Sequence, residues 1–306
     1  MAVDRSVLNR VIAVMNGKGG VLKTTLTCNV AGMLAASGYR VLVVDMDPQG
    51  NCADDLGYDT NPEQDAGLSL AQSLMFDADP KLLRGVRENL DVLQGGRQLH
   101  MAASGLASHV QQPKGRDWRL SLARVLEKVA NDYDMILIDC PPGEHVLQTN
   151  AVAAARYVLV PYKPDKSSQK GLYDITDRFE SVMDINPDID LLGCVIVDIE
   201  KQATKVRRDA REDVMKAFGG DGSAIFENII RHSTPSAVRA RQEGKLAFEL
   251  EAQAKTGPSW WQIRRGEADA TAAMPASVDK LAADLHAVGK EMIERLAEKE
   301  AELVGA

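Results

Sequence analysis

Residues Val11 to Val30, VIAVMNGKGGVLKTTLTCNV, set an apolar run, a glycine-rich turn and a Lys-Thr pair in direct succession. The spacing approaches G-x-x-x-x-G-K-[ST], the pattern of a phosphate-binding loop between a strand and a helix. Gly17 opens the loop, and Lys23 and Thr24 close it, but Leu22 stands where the second glycine belongs. Successive backbone N–H groups in such a turn, continued by a helix N-terminus, form a cradle for anions. Lys23 would bring positive charge to the β- and γ-phosphates of a nucleotide, and the Thr24 hydroxyl would ligate Mg²⁺. The competing reading is an ordinary strand-to-helix turn.

The rest of the chain favours the phosphate loop. The expected elements are a buried strand over Arg10 to Met15, a helix from Lys23 to Ser37 stopped at Gly38, and a second strand over Arg40 to Asp45. Together they make a right-handed βαβ unit with the loop at the carboxyl end of its first strand. The second strand runs into DMDPQGN, which places Asp45 and Asp47 beside the loop. The segment YDMILIDCPPG, Tyr133 to Gly143, is a further buried strand that ends in Asp139. An apolar strand ending in aspartate is the Walker B arrangement, in which the carboxylate supports Mg²⁺.

Strands over 89–96, 156–164 and 190–198, with helices between them, extend the alternation. It predicts an α/β fold of the P-loop NTPase type, a doubly wound, mostly parallel sheet flanked by helices. Residues 52–90 read as polar loop with short helical pieces. The expected organisation is an ATPase domain over 1–253, a loop over 254–276 containing Trp260 and Trp261, and a C-terminal helix within 277–306. In that helix Val278, Leu281, Leu285, Val288, Met292 and Leu296 form one apolar stripe.

The net charge of -8 over 306 residues argues against a general polyanion binder, so contact with nucleic acid would need a local basic patch. The most basic stretch lies between 200 and 245, where Lys201, Lys205, Arg207, Arg208 and Arg211 are followed by Arg231, Arg239, Arg241 and Lys245. Asp209, Glu212 and Asp213 are interleaved with them, as on any solvated helix face. Four scattered cysteines without a C-x-x-C pair read as packed thiols. The polar start MAVDRSVLNR and the lack of an apolar run near ~18 residues lead to the expectation of a cytoplasmic protein.

With these blocks in place, the sequence resembles the ParA/MinD-type ATPases. NGKGGVLKTT is similar to their deviant Walker A motif, RVLVVDMDPQGN to their second motif, with an ending that favours ParA, and YDMILIDCPPG to their Walker B region. The resemblance runs from about residue 10 to 250 and is looser after 150. It implies ATP and Mg²⁺ as cofactors and a sandwich dimer around two nucleotides. Gly17, Lys18, Gly19, Gly20, Val21, Leu22, Lys23, Thr24 and Thr25 would hold the nucleotide. Lys18 would reach the partner's phosphates in trans, Asp47 would orient the attacking water, and Thr24, Asp45 and Asp139 would surround the metal.

The resemblance further implies slow hydrolysis stimulated by a ParB-like centromere-binding protein. It also implies binding of the dimer to non-specific double-stranded DNA, nucleoid association, and movement of a plasmid, prophage or chromosome. Lys205, Arg207, Arg208, Arg211, Arg239 and Arg241 would contact the DNA. One alternative is a nucleotide-gated DNA-binding scaffold with hydrolysis crippled by Leu22. A second is a MinD-like positioning ATPase at a membrane, against which the glutamates of the C-terminal helix argue. If position 22 requires positive φ, leucine costs about 1–3 kcal/mol. Micromolar nucleotide binding is worth about 8 kcal/mol, so weakening rather than abolition is expected.

Overall fold

The computed structural model describes residues 3–109, 116–165, 168–200, 203–220, 222–257, 264–265, 275 and 277–305. Lys201 and the Trp260–Trp261 pair lie outside the described residues. Eight strands form one sheet: β1 (Val11–Val14), β2 (Val41–Asp45), β3 (Leu83–Arg87), β4 (Leu90–Leu93), β5 (Met135–Asp139), β6 (Tyr157–Tyr162), β7 (Asp190–Ile199) and β8 (Ile230–Arg231). Their order is β3-β4-β2-β5-β1-β6-β7-β8. All neighbours are parallel except β3 and β4.

The β3 edge strand departs from the sequence reading, which left 52–90 without a strand. LRGVR carries Gly85 and two arginines, and its central residues are exposed, so no apolar alternation marks it. Antiparallel pairing through a short turn to β4 builds it instead.

The helices are α1 (Lys23–Ala36), α2 (Cys52–Leu56), α3 (Leu68–Phe76), α4 (Leu99–His109), α5 (Ser121–Glu127), α6 (His145–Ala154), α7 (Ser168–Glu180), α8 (Thr204–Ala217), α9 (Thr234–Glu243), α10 (Ala247–Thr256) and α11 (Val278–Gly305). The central strands are buried on both faces, and their side chains alternate between two cores. Val11, Ala13, Leu42, Val44, Ile136 and Ile138 face the core shared with α3 to α8. Ile12, Val14, Val41, Val43, Met135 and Leu137 face the other core, which α1, α2, α10 and α11 cover.

Helix α10 continues to Thr256, slightly past the expected start of the loop at 254. The apolar stripe of α11 is covered by the domain: Val278, Leu281, Leu285, Val288, Met292 and Leu296 are all buried. No helix among the described residues is long and apolar enough to cross a membrane.

Polar ties hold α11 in register. Asp284 accepts hydrogen bonds from the Arg231 backbone and guanidinium, and Glu300 pairs with Arg10. Glu291 accepts from the backbone N–H of Glu227 at 2.8 Å and of Asn228 at 2.9 Å, from the Asn228 amide, and from Arg295.

One close approach ties α2 to α9. Gly57 and Gly244 end these two helices in left-handed conformation, with φ of 67° and 59°. Their backbones touch: a Cβ on Gly57 would lie 2.7 Å from the Gly244 carbonyl oxygen, and one on Gly244 would lie 2.4 Å from the Gly57 Cα. Arg87 brackets the contact, donating to the carbonyls of Leu56 and Gly244 while pairing with Glu249.

Candidate functional site

Strand order reverses at β1, whose neighbours are β5 on one side and β6 on the other. Loops leaving the carboxyl ends of β1, β2 and β5 therefore converge on one crevice, the usual ligand site of an open α/β sheet. Register finishes the arrangement: Asp139 pairs across the ladder with Val14 and with Asp45. Three stretches, the last more than ninety residues beyond the second, thus deliver the Lys-Thr pair and two carboxylates to one place.

The loop after β1 wraps the N-terminus of α1. Gly20 has φ of 73° and Leu22 has φ of 61° and ψ of 24°, both left-handed. Position 22 thus demands the conformation that glycine adopts freely, and leucine holds it with its side chain half-buried against the α1 core. The Lys23 ammonium is buried and donates to the Lys18 carbonyl at 2.7 Å. Burial pushes its pKa down, while the Asp139 charge works against that shift. The Lys18 backbone N–H donates to Asn16 Oδ1 at 2.9 Å, and the Lys18 ammonium pairs with Asp165 just beyond β6.

Beside the loop, the Thr24 hydroxyl donates to Asp139 Oδ2 at 2.6 Å. Asp139 Oδ1 is buried and has no hydrogen-bond partner among the described residues. Asp45 Oδ1 accepts the Asp47 N–H at 2.9 Å, and its Oδ2 accepts the Cys52 N–H at 3.2 Å. Burial raises the pKa of both buried aspartates. Asp45 goes up to about 7, with the Asp47 charge adding to the effect, and for Asp139 the Asp45 charge does the same. Two desolvated carboxylates this close need a cation to stay ionised together.

The donor set fits Mg²⁺: carboxylate oxygens of Asp45 and Asp139, one of them an orphaned atom, with the Thr24 hydroxyl adjacent. Cys52 also lies within 4.8 Å of these carboxylates, but burial holds its thiol well above the usual range, so it stands by as a neutral group. All four cysteines are buried and free.

A cavity of about 310 Å³ opens over this cluster, lined by Gly19, Gly20, Leu22, Lys23, Thr24, Thr25, Asp47, Asn51, Pro142, Ala237, Val238 and Arg241. Gly17, Lys18 and Val21 belong to the same loop, Val21 with its side chain buried.

The six basic candidates separate into two groups. On α8, Lys205 and Arg208 are exposed, and Arg207 and Arg211 are partly so. Arg208 lies 3.6 Å from Asp209 and 3.9 Å from Glu212, and Arg211 pairs with Glu227 at 2.9 Å. On α9, Arg239 pairs with Glu243 within its own helix. Arg241, the other α9 candidate, donates from its Nε to Asp55 Oδ1 at 2.8 Å and lines the phosphate-loop cavity. Asp55, a nearly buried carboxylate on α2, attracts the guanidinium inward. Sequence reading also passed over Asp165, Asn16 and Asp55. Asp165 carried a usable signal, since it directly follows a strand that ends at the same sheet edge.

A family model described as an AAA domain matches residues 9–191. The chromosome partitioning protein ParA of Caulobacter vibrioides is 34% identical over 225 residues, which cover 72% of this chain and 80% of that protein. The sporulation initiation inhibitor protein Soj of Bacillus subtilis is 33% identical over 214 residues, covering 69% of this chain and 81% of Soj. Among solved structures, a cobyrinic acid a,c-diamide synthase from Mycobacterium smegmatis with bound ADP and magnesium superposes with a TM-score of 0.63. It is 28% identical, and the match covers 87% of this chain and 99% of that one. Taken with the phosphate loop and the paired strand-end aspartates, these relationships place the chain in the ParA/MinD family of P-loop partition ATPases.

Proposed function

We propose that the protein is a ParA-type partition ATPase that binds Mg·ATP in the cavity over α1, dimerises on it, and holds non-specific double-stranded DNA in the dimeric state. The observation that carries the reading is the meeting of Lys23, Thr24, Asp45, Asp47 and Asp139 at one sheet edge. The ADP and magnesium bound by the M. smegmatis protein support the choice of ligand.

In this reading the loop N–H groups and Lys23 bind the polyphosphate. Thr24, Asp45 and Asp139 hold Mg²⁺, which when bound neutralises phosphate charge. Asp47, at the cavity wall, orients the attacking water. Lys18 leaves Asp165 and reaches the partner's phosphates, where its charge meets the developing negative charge. A ParB-like protein speeds hydrolysis and so ends the DNA-bound state.

Lys205, Arg207, Arg208 and Arg211 on α8, with Arg239 on α9, supply the phosphate contacts. Both helices start just beyond the carboxyl ends of β7 and β8, on the side of the sheet where the nucleotide binds. Several of these cations are already paired within the chain, so the attraction is modest per subunit and gains from doubling in a dimer.

The strained, left-handed Leu22 favours a second reading, a nucleotide-gated DNA scaffold whose hydrolysis is crippled by the leucine in the loop. ATP turnover and low-salt filter binding to duplex DNA, each with ATP, with ADP and with no nucleotide, separate the two. The partition reading expects DNA retention with ATP alone and turnover that rises with DNA and a ParB-like partner. DNA retention with no turnover under any condition favours the scaffold, and equal retention in all three states overturns the nucleotide switch.

A further inference from the structure

Helix α9 brings a cation into the cavity that the phosphate-loop pattern does not contain. The Arg241 side chain is 45% exposed, yet its Nε is committed to Asp55, whose side chain is only 8% exposed. Asp55 Oδ2 in turn accepts the Thr25 hydroxyl at 3.1 Å. One carboxylate therefore joins the first turn of α1 to α9 and fixes the plane of the guanidinium. The Nη edge is left without a hydrogen-bond partner among the described residues, on a side chain that lines the cavity with Gly20, Lys23, Thr24 and Thr25.

An oriented guanidinium edge with free donors suits a phosphate, because its planar fork matches two phosphate oxygens at once. Position on α1 tells which part of the polyphosphate it meets. Thr24 faces Asp139 and the metal side, whereas Thr25, one residue and about 100° further round the helix, faces Asp55 and Arg241. Arg241 therefore stands beside Thr25, about a quarter-turn of the helix mouth away from Thr24 and the metal side that Thr24 faces.

We propose that Arg241, anchored through Asp55, is a nucleotide-binding residue that contacts the phosphates shared by ATP and ADP rather than a DNA contact. The assignment rests on the nucleotide-binding reading above and deepens it. A phosphate-binding role makes distinct demands: ATP and ADP must be affected alike, and Asp55 must act through Arg241.

Titration calorimetry of the full chain with Mg·ATP and with Mg·ADP tests it, using Arg241→Ala, Arg241→Lys and Asp55→Asn, with thermal melts to show that each variant is folded. Loss of a charge-assisted hydrogen bond predicts a Kd raised about 10- to 100-fold for both nucleotides in Arg241→Ala. Arg241→Lys, which keeps the charge without the fork, should recover part of this. Asp55→Asn should weaken binding in the parent background and add little in Arg241→Ala.

Parent-like Kd values for both nucleotides in a folded Arg241→Ala overturn the assignment, whether or not DNA binding falls. An effect on ATP alone overturns the placement away from the γ-phosphate. If the parent chain itself binds neither nucleotide, the underlying reading fails and this assignment with it.

Discussion

The ammonium of Lys18 is ion-paired to Asp165 of its own chain, across the crevice between the carboxyl ends of β1 and β6. The lysine that would act on a partner's phosphates is thus held at home. Both side chains are partly exposed, so the pair is worth about 0–1 kcal/mol. Asp165→Asn should weaken the hold on Lys18 and tighten Mg·ATP-dependent dimerisation by up to ~5-fold. Sedimentation velocity across a protein concentration series reads this directly, and an unchanged or weaker dimer would show that Asp165 does not restrain Lys18.

At position 22 the usual ranking of glycine and alanine should invert. In a helix or strand, glycine is less stable than alanine by roughly 0.5–1 kcal/mol. With φ of 61°, any Cβ is strained by about 1–2 kcal/mol. Leu22→Gly should therefore be more stable than Leu22→Ala by about 1 kcal/mol in urea melts. Because the strain is present before nucleotide arrives, it cancels from the binding equilibrium wherever φ stays positive, and the Kd of Leu22→Gly should stay within about threefold of the parent.

The nucleotide-free protein should lose stability as pH rises through the carboxylate range. Burial pushes the Asp45 carboxyl up to about 7 in the fold, against an ordinary value of 3.8. Between these values the folded state binds more protons than the unfolded one, so stability falls with rising pH and levels off above 7. Asp45→Asn removes the charge and should raise the Tm at pH 8, with a smaller gain at pH 5, while Mg·ATP binding falls. Melts at the two pH values check this, and equal Tm changes at both would show that the Asp45 charge is not the cause.

At the far end of the sheet the sign reverses. Burial pushes the Glu291 carboxyl up, but the N–H groups of Asn228 and Glu227, the Asn228 amide and Arg295 outweigh it, and its pKa lies below the ordinary value. Its contribution is fully present above the unfolded value and is lost as pH falls through the folded one. Glu291→Gln should cost about 2–4 kcal/mol at neutral pH, a Tm drop of roughly 5–10 °C, and less in acid. Equal losses at pH 7 and pH 3.5 would count against the ionised carboxylate.

The phosphate loop, the two aspartate-ended strands and the helical stripe of α11 were legible because each is local: its residues are contiguous or spaced by one structural period. Parallel register then brought Asp45 and Asp139 together with no further information. Strand β3 was not legible, because an exposed edge with Gly85 at its centre carries no alternation. Nor was the place of Arg241. A run of arginines shows charge, but which carboxylate claims which cation depends on residues as distant as Asp55. Leu22 lies between these cases: the departure from glycine is visible in the sequence, and the left-handed backbone that makes it matter is not.

The touching backbones of Gly57 and Gly244 have a mechanical consequence. The DMDPQGN turn runs straight into α2, and α2 ends on the glycine that abuts the end of α9. With no side chain to slide or rotate between them, and with Arg87 fastened to both, the two helices form one lever whose short arm begins at Asp47 and whose long arm carries Arg239 and Arg241. A shift at the aspartates would therefore press on the end of the basic helix through backbone contact alone. Any side chain at either glycine would act as a spacer, prising that lever apart while leaving every residue of the phosphate loop in its sequence.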